Sequence, residues 1–217
     1  MFDVQFARRQ MIEQQIRAWE VLDLRVLAAL EQVPREEFVP AQYRELAFAD
    51  TCVPLGHGQV MLAPKVEGRI LQALDIKPTD RALEVGTGSG FFAAALSQLA
   101  QSVKTIDIFP DFVAGATQTL ARVGARNVAV ATADASQLAE RDAYDVIAVT
   151  SSLPLYDPRF ERALKVGGRL FVTVGTGPVL AAQRVTRASS DDWMRESLFE
   201  TGMPPLLHAA EPPRFVF

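Results

Sequence analysis

Cysteine and histidine are nearly missing from these 217 residues, which hold one of the first and two of the second. The single cysteine, Cys52, excludes an internal disulfide and fits a reducing compartment. With no CxxC partner, it reads as a small buried residue. His57 and His208 have no second histidine, cysteine or acid at ligand spacing, so no metal site is expected. Long apolar runs are missing too: none approaches the ~18 residues of a membrane span. The start, Met1-Phe2-Asp3-Val4, lacks a basic-then-apolar signal region. The expectation is a cytoplasmic protein with no membrane partner. Positive charge is not in excess: the formal net charge is −4, and no run of Lys or Arg builds a basic face. That argues against nucleic acid as a partner, since non-specific binding needs such a face to displace counterions.

What is present is a globular composition, 49% hydrophobic, in a length that suits one or at most two domains. Residues 6–32 hold two helical segments. In the first, Phe6, Met11 and Ile16 form an apolar stripe opposite Arg8, Arg9, Glu13 and Arg17. Asp23 caps the second, Leu24 to Val33, which Pro34 stops. A connector over 34–40 and a short helix around Gln42 to Leu46 follow. Residues 50–64 form a long loop with two prolines and two glycines, of the kind that carries function. From Pro64 the pattern changes to a helix at 66–74, then strands at 81–85, 103–108 and 127–132 alternating with helices at 89–100 and 111–123. A very apolar strand Tyr144 to Thr150, a helix near 157–164 and a strand 168–174 come next. The alternation predicts a parallel sheet covered on both faces. Ala181 to Arg187 and Trp193 to Phe199, around Ser189–Asp192, read as a closing antiparallel hairpin.

The most informative stretch is Leu83-Glu84-Val85-Gly86-Thr87-Gly88-Ser89-Gly90. It reads as a buried strand, a glycine turn and the first turn of a helix. Glycines at 86, 88 and 90 depart from the G-x-G-x-x-G spacing of dinucleotide sites. Glu84 is an odd residue for an apolar strand, and suits a ligand with positive charge or hydroxyls better than a pyrophosphate. This points to S-adenosylmethionine (SAM), with its ammonium and sulfonium, ahead of a nicotinamide cofactor. About twenty residues on, a second strand ends in Asp107, where an acid can accept both ribose hydroxyls. A third runs into Asp134-Ala135, where a carboxylate could face an adenine amino group. The bland alternative makes Asp107 and Asp134 solvated loop acids or helix caps. In a doubly wound sheet all three strand ends open onto one crevice.

These residues resemble the protein-L-isoaspartate O-methyltransferases, repair enzymes for damaged proteins, over approximately residues 8 to 207. Gln14-Gln15-Ile16-Arg17 and Val33-Pro34-Arg35-Glu36-Glu37-Phe38-Val39-Pro40 look like that family's helical cap. Phe48-Ala49-Asp50 and Pro54-Leu55-Gly56-His57-Gly58-Gln59 look like the entry to its substrate loop. The resemblance implies a class I SAM-dependent methyltransferase: a Rossmann-like doubly wound α/β sheet, mostly parallel, with a C-terminal antiparallel hairpin. Residues 1–63 would form the cap and substrate loop, and 64–217 the cofactor core. It implies SAM as cofactor, S-adenosyl-L-homocysteine (SAH) as product, and isoaspartyl-containing proteins or peptides as partners. Glu84, Gly86, Thr87, Gly88, Ser89, Gly90, Asp107, Ile108, Asp134 and Ala135 would hold the cofactor. Gln59, Val60 and Leu62 would line the acceptor side, with Asp50 as a contributor, and Ser151 and Ser152 end a strand at the crevice.

The chain departs from the family pattern at one telling place. The family's loop continues Gly-Gln-Thr-x-Ser-x-Pro, whereas here it reads Gly58-Gln59-Val60-Met61-Leu62-Ala63-Pro64. Both hydroxyls are lost, at a cost of about 1–3 kcal/mol each where a site was built around them. The departure leaves open a different carboxylate acceptor, or a SAM-binding relative that recognises a protein without methylating it. Pro204-Pro205-Leu206-Leu207 also differs from the family's Phe-Val-Pro-Leu, and a Pro-rich tail (Glu211-Pro212-Pro213-Arg214) follows.

Overall fold

The computed structural model describes residues 3–213; Met1, Phe2 and Arg214 of the tail lie outside them. Asp3 accepts a bond from the Phe6 amide and opens helix α1 (Val4–Met11), which runs on into a π turn, Ile12–Ile16. The face that turns inward carries Arg8, Met11 and Ile12, three and four residues apart, and Phe6, five residues from Met11, is not on it. Phe6 is 54% exposed, while Arg8 is 6% exposed and pairs with Glu36 at 2.6 Å. Met11 and Ile16 are buried as expected. Asp23 caps α2 (Leu24–Gln32) through the Arg25 amide. The helix ends at Val33, whose extended backbone is what a following proline demands. Two 3-10 turns, Arg35–Glu37 and Ala41–Leu46, complete the cap.

The 50–64 loop is more ordered than its composition suggests. Strands β1 (Val53–Gly56) and β2 (Gln59–Met61) pair antiparallel as a small hairpin. Cys52, at its foot, is exposed, a correction to the buried position expected of it. The cysteine precedes the strand, and it is the next residue, Val53, that turns into the core.

Helix α3 (Pro64–Leu74) then leads into β3 (Arg81–Val85), α4 (Phe91–Ser97), β4 (Ser102–Asp107), α5 (Pro110–Arg122) and β5 (Val128–Thr132). Next come β6 (Tyr144–Leu153), α6 (Pro158–Ala163), β7 (Leu164–Val174), β8 (Leu180–Arg187) and β9 (Trp193–Thr201). The main sheet has the order β5-β4-β3-β6-β7-β8-β9, parallel from β5 to β7 and antiparallel from β7 to β9. Alternate residues of each strand serve opposite faces. Leu83, Val85, Ile147, Val149, Leu170 and Val172 join one core with Phe160 of α6. Ala82, Val146, Ala148 and Phe171 join the other, which also contains Met11, Ile16, Leu30, Leu71 and Phe91. The cap and the sheet therefore share a continuous apolar interior. Helix α4 is buried on all sides, and its Ala93-Ala94-Ala95 run lets it lie close to the sheet.

Strand order reverses at β3, which has β4 on one side and β6 on the other. A crevice forms outside the carboxyl ends of parallel strands at such a switch point.

Candidate active site

The glycine turn fills that switch point. Gly86 lies at φ +101°, and a Cβ there would stand 2.6 Å from Thr150 Oγ1. Gly90, at φ +85°, brings α4 and α5 together, since a Cβ would sit 3.0 Å from that of Ala116. Both positions are closed to other residues for reasons of space as well as backbone angle. The Gly86 and Thr87 amides donate to the Ile106 carbonyl at 2.9 and 3.2 Å, locking the turn onto β4.

Two clefts meet at Gly86. The first is lined by Gln59, Asp107, Ile108, Phe109, Asp134, Ala135, Ser151 and the segment Pro205–Leu207. Asp107 accepts the Gly88 amide on Oδ2 at 2.9 Å and the Phe109 amide on Oδ1 at 3.1 Å. A carboxylate has about four lone-pair sites, so two remain for a ligand's hydroxyls. Asp134 Oδ1 accepts the Ser136 amide at 2.8 Å, and Oδ2 lies 2.7 Å from His208 Nδ1. Burial works to raise the Asp134 pKa, but the bonds from His208 and Ser136 prevail and hold it below its ordinary value. Asp134 is thus a cap for the 3-10 turn Ala135–Gln137 and a wall of the cleft at once.

The second cleft is lined by Leu55, Val60, Met61, Leu62, Glu67, Glu84, Thr87, Gly88, Ser89, Phe92 and Thr150. Glu84 is fully buried. The Thr87 hydroxyl lies 2.7 Å from that of Thr105, which donates to Glu84 Oε2 at 2.6 Å. Glu84 Oε1 has no partner among the described residues. Burial pushes the carboxyl well above the usual range against the Thr105 bond, and the charges of Asp107 and Glu67 push the same way. An unpartnered buried oxygen beside a second carboxylate is a strong acceptor awaiting a cationic group.

Glu67 escaped the sequence reading, although 67, 70, 71 and 74 fall on one helical stripe and place it among buried residues. It pairs with Arg35, and both are essentially inaccessible at 2% and 1% exposure. Arg35 also donates to the Leu62 carbonyl at 2.6 Å and lies over the Phe91 ring at 4.6 Å. The cap thereby holds the backbone of the loop. Phe109 and Pro205–Leu207 were missed as well. The latter reach the cleft because the chain returns alongside β6: Ser152 N donates to Pro204 O at 2.9 Å and Leu206 N to Ser152 O at 2.8 Å.

The expected acceptor residues divide. Gln59 faces the first cleft, while Val60 and Leu62 face the second. Asp50 lines neither; it accepts from Lys65 Nζ at 2.7 Å. Ser151 lines the first cleft and Ser152 ties the C-terminal segment. Among the described residues no group of three His, Cys, Asp or Glu is placed to hold a metal ion. No helix there is long and apolar enough to cross a membrane.

One crevice thus offers acceptors for hydroxyls at one end and, at the other, a buried carboxyl oxygen with no partner among the described residues. The ribose diol and the ammonium and sulfonium groups of SAM match those two ends, so the residues fit that cofactor. With the sheet order, the switch-point glycine turn and the closing antiparallel strands, this is a class I SAM-dependent methyltransferase fold. A crystal structure from Plasmodium falciparum, described as a beta-aspartate methyltransferase in complex with SAH, superposes with a TM-score of 0.79. It shares 19% identity and covers 92% of this chain and 97% of its own.

The family model for protein-L-isoaspartate(D-aspartate) O-methyltransferase matches residues 7–207, and the chain belongs to that family. It is 39% identical over 201 residues to a protein-L-isoaspartate O-methyltransferase of Koribacter versatilis, covering 92% of this chain and 90% of the relative. It is 37% identical over 207 residues to one of Pelobacter propionicus, covering 94% and 92%.

Proposed function

We propose that this chain methylates the carboxylate of isoaspartyl residues in damaged proteins or peptides, consuming SAM and releasing SAH. The observation that carries the reading is the meeting at Gly86 of two clefts, one lined by Asp107 and Asp134 and the other by Glu84 and the loop Val60–Leu62. On this reading residues 1–63 are the acceptor cap and 64–217 the cofactor core, working in the cytoplasm. When bound, SAM supplies a methyl group already activated by its positive sulfur. Asp107 takes the ribose hydroxyls; Ile108, Asp134 and Ala135 border the adenine. Glu84 takes the ammonium, within the turn formed by Gly86, Thr87, Gly88, Ser89 and Gly90. The acceptor carboxylate, with an ordinary pKa near 4, is ionised at neutral pH and needs no base. The protein's work is therefore alignment and removal of water. Gln59, Val60 and Leu62 carry it out, and Arg35 compensates Glu67, so an anionic acceptor does not meet a bare carboxylate.

Calorimetric titration tests the cofactor half: SAH binds and NADH does not. Binding of NADH with none of SAH contradicts it.

A second reading, a SAM-binding relative with a changed acceptor or a non-catalytic protein-binding role, is favoured by one observation. Both loop positions that bear hydroxyls in the family pattern, Val60 and Leu62, are apolar here and line the second cleft. Restoring them should separate the two. Val60→Thr with Leu62→Ser is expected to raise kcat/KM on an isoaspartyl peptide by roughly tenfold, one recovered hydrogen bond of about 1.4 kcal/mol. No gain would place the change of acceptor elsewhere in the site.

A further inference from the structure

Two walls of the first cleft do not belong to the α/β sheet: the β1–β2 hairpin, which contributes Gln59, and the returning segment Pro205–Leu207. The chain's only two histidines belong to these two elements, His57 in the turn of the hairpin and His208 next to Leu207, and each is bonded to an acid of the α/β unit. His57, at the hairpin tip, stacks on Phe109 with ring centroids 4.0 Å apart and planes 9° apart. Its Nε2 lies 2.9 Å from Asp111 Oδ2 in the first turn of α5, and Phe112 packs edge-on against both rings. Phe109 is itself a wall of the cleft. His208 Nδ1 lies 2.7 Å from Asp134, another wall. The base of the C-terminal segment is fixed to β6 through Ser152, so its far end crosses from the end of β6 to the end of β5.

We propose that His57 and His208 are positioning residues that latch two straps, the hairpin and the C-terminal segment, across the cofactor crevice. The proposal rests on the cofactor reading above. Leu55 and Val60 of the hairpin and Leu206 and Ala209 of the C-terminal segment pack on the two cores, and beyond them each strap carries one histidine that touches a residue bordering the cleft. Exchange of SAH for SAM then requires a latch to open. His57 lies at φ +51° between Gly56 at +119° and Gly58 at +71°, a run of backbone that its ring contacts and the pairing of β1 with β2 keep in place. Asp111 and Asp134 are both held below the ordinary carboxylate range; the bond from His57 is the largest cause at Asp111, while at Asp134 the bond from His208 offsets burial.

The test is release of tritiated SAH from the full-length protein, chased with excess unlabelled SAH. His57→Asn and His208→Asn are the variants, because asparagine tolerates the left-handed backbone at φ +51° and +60° and removes only the ring. Each is expected to speed release about three- to tenfold, the scale of one exposed pair with or without a ring stack. The double variant is expected to multiply the two effects, with the melting temperature unchanged. Release within twofold of the unaltered protein in either single variant overturns the two-strap latch. So does faster release that appears only alongside a lowered melting temperature, since that marks a structural role. Failure of the unaltered protein to bind SAH overturns the cofactor reading itself, and the latch with it.

Discussion

Arg35→Met is expected to cost the folded state about 3–5 kcal/mol, the usual penalty for stranding one member of a buried ion pair. The variant keeps the length and packing of the side chain against Phe91 while deleting the charge opposite Glu67 and the bond to the Leu62 carbonyl. Burial already pushes Glu67 from 4.5 up to about 7, with Arg35 pulling the other way. A carboxyl raised in the folded state keeps a proton that the unfolded chain has released. Its contribution to stability is full below its unfolded pKa and is lost as pH climbs through the folded one. Removing Arg35 moves that folded value further up, so the deficit of the variant widens between about pH 6 and pH 8, at up to about 1.4 kcal/mol per pH unit. Urea denaturation at the two pH values reads both the size and the slope. Arg35→Met with Glu67→Leu should recover most of the loss, because an apolar pair of similar volume is often as stable as a buried ion pair. A cost below about 1 kcal/mol for the single variant would mean that the pair does not hold the cap to α3.

Asp107→Ala is expected to weaken SAH binding about 100-fold, or about 2.7 kcal/mol, with the fold retained. The two amides that Asp107 accepts come from Gly88 and Phe109, one in the glycine turn and the other in the wall of the first cleft. Losing the carboxylate removes charge-assisted acceptors for the ribose and loosens the turn that faces the methionine end. Asp107→Asn keeps one carbonyl acceptor and should fall between alanine and the unaltered protein. Affinity within threefold of the unaltered value in the alanine variant, measured by calorimetry, would contradict the assignment of the ribose to this residue.

The sheet, the glycine turn and the acids at the strand ends were legible because each rests on local rules. The apolar strand runs, the helices between them and glycines where φ is positive are each set by residues close together in the chain. What escaped depends on phase or on distance. Phe6 and Met11 stand five residues apart, off one helical face, so the buried stripe runs through Arg8, Met11 and Ile12, and Glu36 in the cap supplies the anion that lets Arg8 turn inward. The hairpin in the 50–64 loop is short, irregular between Pro54 and Gly56, and carries a proline, so it lacks a strand signature. Cys52 is exposed because it stands one residue outside that hairpin, a difference of one position that composition does not register. Glu67 could have been found, since an acid on a buried helical stripe asks for a cation, and Arg35 in the cap supplies it. The C-terminal wall could not: Pro205 bridges to Ser152 across more than fifty residues, with no periodicity to announce it.

The most direct measurement is transfer of labelled methyl from SAM to a peptide containing isoaspartate, beside its normal aspartyl twin. Label is expected on the isoaspartyl peptide and none on the twin, although Val60 and Leu62 occupy the positions that bear hydroxyls in the family pattern. No label on either peptide, from protein shown to bind SAH, would contradict it and turn the search to another acceptor.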